Sequence, residues 1–176
     1  MDKKTSHFPL DLKMIEENGA FSGYASVFNI EDNHNDIIIS GAFSNSLQKN
    51  GRWKDIKLLW QHRSDEPIGI FTKMVEDEHG LYVEGKLLLD VQRAKEAYTL
   101  LRSGIIKGLS IGFIVKKYDH DESGARVIFE AELWEISLVT FPANEAAQIS
   151  VVKSMDGAGY PAFLSTIDKA IRILTI

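Results

Sequence analysis

Two long alternating stretches, 105–118 and 126–141, dominate the second half of the chain, and the polar run Asp119-His120-Asp121-Glu122-Ser123-Gly124-Ala125 joins them. Side chains on a strand point to opposite faces in turn. In the first stretch Lys107, Leu109, Ile111, Phe113 and Val115 share one face, and Gly108, Ser110, Gly112 and Ile114 share the other. In the second, Trp134, Ile136 and Leu138 form an apolar face opposite Glu135 and Ser137. Two such stretches with a turn between them predict a β-hairpin, and a hairpin this long needs further strands to cover its apolar face.

The rest of the chain offers them. Residues 19–29, 36–40 and 55–62 read as strands. Residues 67–89 read as a hairpin turning at Asp77-Glu78-His79-Gly80, with Leu81, Val83 and Leu87 on one face of its second strand. Two helices are expected. One spans 40–51, with Ser40 as N-cap and Gly51 as stop; the other spans 90–104, with Ala94, Ala97, Tyr98 and Leu101 inward. The fold class is therefore mainly β with a few helices, as an antiparallel barrel or sandwich. Residues 1–152 form one domain; 153–176 form a Gly-rich hinge and an amphipathic helix opened by Pro161, packing on the domain or on a partner subunit.

Composition removes several functions. The chain has 176 residues and no cysteine, so disulfides, thiolate zinc sites and a cysteine nucleophile are excluded. A net charge of −5 argues against a broad nucleic-acid surface. The amino terminus lacks the apolar core of a secretory signal, and no run suits a membrane span, so a soluble intracellular protein is expected.

Ser110 lies between two glycines on the less apolar face of its strand. Spacing alone leaves two readings. The bare flanks give an extended peptide access to the hydroxyl, or, more commonly, a Gly-rich strand packs under a helix. A serine nucleophile needs a base, usually histidine, oriented by a third group. Of five histidines, His7 lies in the polar amino-terminal segment, and His34, His79 and His120 lie in polar turns. His62 instead ends an apolar strand ahead of the loop Arg63-Ser64-Asp65-Glu66-Pro67. Strict alternation puts it on the core face with Leu58 and Trp60, so it needs a bulge or twist to emerge. Glu135 can share the outer face with Ser110, and Glu132 is the reserve. Asp32, His34 and Asp36, spaced two apart, could ligate a metal, but a polar turn is the more common origin of such a run.

Several motifs occur in order: Leu59-Trp60-Gln61-His62, Pro67-Ile68-Gly69, the run from Gly80 to Asp90, the run from Glu96 to Phe113, and the run from Leu133 to Asn144. Residues 23–29 and 40–43 add to the set. From about 20 to 152 the chain resembles the prohead proteases of tailed bacteriophages. The resemblance implies a β-barrel surrounded by helices, related to the herpesvirus assemblins, and a serine endopeptidase acting inside the immature capsid in the host cytoplasm. It implies Ser110 as nucleophile and His62 as base, with Glu135 where the assemblins have a second histidine. Substrates would be scaffold protein, a scaffolding segment of the major capsid protein, and the protease itself. No cofactor, metal, nucleic acid or membrane is implied, and a homodimer or higher homo-oligomer is expected. The assemblins' Gly-Arg-Arg turn is replaced by Phe141-Pro142-Ala143-Asn144, which leaves backbone N–H groups near Ala143 and Asn144, or a bound water, as oxyanion donors. The alternative is a catalytically silent capsid-assembly module on the same fold.

Overall fold

A computed structural model describes residues 19–48 and 53–152. The hinge and helix expected over 153–176, His7 and the Gly51 stop lie outside the described residues. In chain order the elements are β1 (Ala20–Val27), β2 (Asp36–Ile38), α1 (Ser44–Gln48), β3 (Lys57–Trp60), β4 (Arg63–Glu76), β5 (Gly80–Leu87), α2 (Gln92–Arg102), β6 (Gly108–His120), β7 (Arg126–Val139) and β8 (Ile149–Val152).

All eight strands belong to one curled sheet. The expected hairpin is present as β6 and β7, paired from Gly108–Val139 to His120–Arg126. The other edge of β7 seats two short strands end to end, β2 on Arg126–Ile128 and β3 on Glu135–Leu138, both parallel to it. From β3 the order continues through β4, β5, β1 and β8 in antiparallel pairs. The sheet is therefore mixed, which corrects the all-antiparallel expectation. Alternation shows which face a strand buries but not the direction of its neighbour, and β7 is long enough to hold two partners on one edge.

The two ends of the ribbon approach each other. The Leu109 N–H donates to the Ala147 carbonyl at 2.9 Å, and the Ile149 N–H to the Lys107 carbonyl at 2.8 Å. The Tyr24 N–H reaches the Gln148 carbonyl from the other side at 3.1 Å. Residues 147–149 thus lie between β1 and β6. The four residues of β8 are too short to show a period, and the sequence gives no strand there.

Leu58, Ile68, Leu81, Leu87, Leu109, Ile136 and Leu138 are fully buried inside the curl. Each contributes about 1.5–3 kcal/mol of apolar burial. Helix α2 adds Ala94, Ala97, Tyr98 and Leu101, the stripe its sequence predicts. Among the described residues there are two α-helices and one 3-10 turn at 53–55, so the sheet is flanked rather than surrounded. No helix among them is long and apolar enough to cross a membrane.

Two local expectations change. Helix α1 starts at Ser44 rather than after Ser40, because Glu76 of β4 supplies the cap: its carboxylate accepts the Phe43 N–H at 3.0 Å and the Ser44 hydroxyl at 2.6 Å. Trp134 is 55% exposed instead of facing the core. Gly112 pairs with Glu135 and Phe113 with Leu133, so Trp134 is the extra residue of a β-bulge.

Candidate active site

The β3–β4 hairpin decides where His62 goes. Trp60 pairs with Arg63, which leaves Gln61 and His62 as a two-residue turn. Both have positive φ, 51° and 59°, as a type I′ turn requires. Strand β4 begins at Arg63, so the loop expected after His62 is already strand. The reversal supplies the twist His62 needs. The chain leaves alternation after Trp60, and the imidazole, 46% exposed, emerges beside β7 rather than in the core.

Left-handed backbone costs a non-glycine residue about 1 kcal/mol, and β7 offsets that cost with a set of hydrogen bonds. The Gln61 N–H donates to the Leu138 carbonyl at 2.9 Å. The Gln61 side-chain amide donates to Thr140 Oγ1 at 2.8 Å, and its carbonyl accepts the Thr140 N–H at 3.3 Å. The His62 N–H donates to Ser137 Oγ at 3.1 Å.

Glu135 completes the arrangement. Its Oε1 lies 2.7 Å from His62 Nδ1, and its Oε2 accepts the Ser137 hydroxyl at 2.6 Å. Ser137 therefore uses its one proton on Glu135 and a lone pair on the His62 main chain, holding the imidazole and the carboxylate together. The hydrogen bond that His62 Nδ1–H donates to Glu135, reinforced by the carboxylate's charge, raises the His62 pKa above the ordinary imidazole value; partial burial works against this. The carboxylate fixes the ring proton on Nδ1 in the neutral form and leaves Nε2 free to accept another. Glu132, the reserve, pairs with Lys116 at 2.6 Å instead.

Ser110 sits directly across the ladder from Ser137 and is 7% exposed. It shares with His62 a cleft of about 350 Å³, which Ser26, Asp36, Arg126 and Asn144 also border. No hydrogen bond joins the Ser110 hydroxyl to the imidazole among the described residues. Such bonds are often long or absent before substrate arrives.

The two glycines prove to make room for the protein's own groups. A Cβ on Gly112 would stand 2.9 Å from Glu135 Cδ and closer still to Oε1; one on Gly108 would stand 2.8 Å from Pro142 Cδ. Neither sequence reading of the glycines anticipated this.

The cleft also has a strand-shaped wall. Leu109 points its N–H at residue 147, so Ile111 and Phe113 turn their N–H and C=O groups to the same side. Beyond Gly108 that edge of β6 pairs with no strand among the described residues, and Ile111 and Phe113 line the cleft.

The run from Asp32 to Asp36 is a capped turn. Asp32 Oδ1 accepts the N–H groups of His34 at 2.8 Å and Asp36 at 3.0 Å. The buried Asp36 carboxylate receives Arg126 Nε at 2.7 Å and Nη2 at 2.6 Å. The turn is tied to the loop after β7 by the Asn33 N–H on the Ala143 carbonyl, 3.0 Å. Among the described residues no three His, Asp or Glu side chains group as metal ligands.

A sequence profile of the Caudovirus prohead serine protease family matches residues 8–159. The chain belongs to this family. The prohead protease of Enterobacteria phage HK97 is 42% identical over 142 residues, covering 79% of this chain and 62% of that protein. The chain therefore spans less than two thirds of that relative's length. The capsid polyprotein of Pseudomonas phage PAJU2 is 38% identical over 108 residues, 57% of this chain and 16% of the polyprotein. Among solved structures, the bacteriophage T4 capsid assembly protease, gp21, superposes with a TM-score of 0.53 at 10% identity, over 68% of this chain and 81% of its own. That likeness speaks for the fold.

In this family member the sequence named Ser110, His62 and Glu135 but gave Ser137 no part beyond sharing a face with Glu135. The available signal was its position between Ile136 and Leu138. A serine at 0% exposure ordinarily has hydrogen-bond partners.

Proposed function

We propose that the chain is a serine endopeptidase of the prohead. Ser110 is the nucleophile, His62 the general base and Glu135 the group that orients the base. The observation that carries this reading is the 2.7 Å contact of His62 Nδ1 with Glu135, His62 and Ser110 both bordering one cleft. A substrate peptide lies extended along the open edge of β6, where Ile111 and Phe113 offer main-chain donors and acceptors. Its scissile carbonyl reaches Ser110 Oγ.

His62 Nε2 takes the hydroxyl proton as Oγ bonds to the carbonyl carbon. The resulting imidazolium is stabilised by Glu135. The C–N bond then breaks, and the imidazolium gives its proton to the leaving amine. Water, deprotonated by the same nitrogen, hydrolyses the acyl-enzyme and restores the Ser110 hydroxyl. The backbone N–H groups of Ala143 and Asn144, on the cleft wall, are the oxyanion donors this reading favours.

The substrates we propose are the scaffolding segment of the major capsid protein or a separate scaffold protein, together with the protease itself. Likeness to part of a phage capsid polyprotein supports capsid proteins as the substrates. The site of action is the prohead interior.

Co-expression with the phage capsid and scaffold proteins tests the proposal. The wild-type chain should yield shortened products by mass spectrometry, and Ser110→Ala should yield none while particles still assemble. Unchanged processing with Ser110→Ala would leave the alternative of a catalytically silent assembly module.

A further inference from the structure

The turn that carries His62 also holds the loop after β7. Both polar atoms of the Gln61 side chain go to one residue: Nε2 donates to Thr140 Oγ1 at 2.8 Å, and Oε1 accepts the Thr140 N–H at 3.3 Å. Among the described residues these are the only hydrogen bonds that Thr140 makes. Strand β7 has ended at Val139, and Phe141, next along, is 89% exposed and gives the loop little packing. At its far end the loop is tied elsewhere. The Ala143 carbonyl accepts the Asn33 N–H at 3.0 Å, and Asn144 Nδ2 donates to the Val27 carbonyl at 2.9 Å. These bonds engage the carbonyl of Ala143 and the side chain of Asn144. The main-chain N–H groups of both residues have no acceptor among the described residues, and both residues border the cleft with His62 and Ser110.

We propose that Gln61 is a positioning residue, whose side-chain amide sets the 140–144 loop at the distance from His62 that peptide hydrolysis requires. Oxyanion donors act only where they meet the developing charge at about 2.7–3.1 Å, while the base must stay within reach of the proton it moves. Gln61 and His62 are adjacent in one turn, so the amide carries the position of the base over to the start of the loop, and Asn33 and Val27 fix its end. The bond from the Gln61 N–H to the Leu138 carbonyl anchors the turn separately, so removing the side chain leaves His62 in place. This rests on the peptidase reading above and adds the contact that couples its base to its oxyanion donors.

The test compares wild type with Gln61→Gly, Thr140→Val and the double variant on a fluorogenic peptide spanning the capsid-protein bond that the wild-type chain cuts. Glycine takes the left-handed backbone at position 61 without strain, so Gln61→Gly should melt within a few degrees of wild type. Its kcat should fall roughly 30-fold with KM unchanged. The acid midpoint of kcat/KM should not move, because Glu135 still holds the imidazole. Thr140→Val keeps the N–H and should lose less, and the double variant should lose no more than Gln61→Gly. Unchanged kcat in Gln61→Gly would overturn the inference. So would a shifted acid midpoint, which marks displacement of His62 itself, or losses that multiply in the double variant, which mark two independent effects. A wild-type chain that cuts no capsid peptide would instead overturn the peptidase reading itself.

Discussion

His62 occupies a backbone conformation that glycine or asparagine would fill more easily, and the strain is concentrated at the residue we propose as the base. Its raised pKa has a direct kinetic consequence. In the proposed mechanism the imidazolium cannot accept the Ser110 proton, so activity should be lost as pH falls through the His62 pKa. The acid limb of kcat/KM should therefore have its midpoint above the ordinary imidazole value of about 6.5. Glu135→Gln keeps a hydrogen-bond acceptor but removes the charge, and should move that midpoint down while lowering the plateau. Gly112→Ala drives a methyl group into the Glu135 carboxylate, and a displaced carboxylate releases the imidazole. Peptide cleavage should fall about 100-fold with the fold retained by circular dichroism. Ser137→Ala takes the clamp from both His62 and Glu135. It should cost about 1–2 kcal/mol in urea unfolding and lower kcat more than it raises KM.

The β3–β4 hairpin and the β6–β7 hairpin bring three side chains from distant parts of the chain onto one face. Period-two alternation made the strands legible and the 3.6-residue period the α2 stripe, and alternation put Glu135 and Ser110 on a shared face. It could not deliver His62, because two left-handed residues break the alternation at that point. It also missed the parallel seating of β2 and β3 on β7, since the partner of a strand is not encoded in its own period. Trp134 was misplaced by a bulge, and the cap of α1 by a carboxylate that comes from β4 rather than from the helix's own flank. That last contact is separable from the chemistry. Glu76→Ala should lower unfolding stability by about 1 kcal/mol, read by thermal melting, and leave kcat/KM unchanged.

The curled sheet as a whole holds a cleft between its two converging edges, walled by β6, by β1 and by the Asp36–Arg126 pair. The carboxylates of the Asp32–Asp36 turn are engaged by backbone N–H groups and a guanidinium, so peptide cleavage should proceed at the same rate with and without excess EDTA. The central claim is that Ser110 forms a covalent bond with the carbonyl side of the substrate. A peptidyl phosphonate diester, with its phosphorus in place of the scissile carbonyl carbon, reports on that bond directly. Mass spectrometry after incubation should find one adduct per chain, mapped to Ser110 and absent in His62→Ala. An unmodified chain, or an adduct on another residue that persists in Ser110→Ala, would contradict the account.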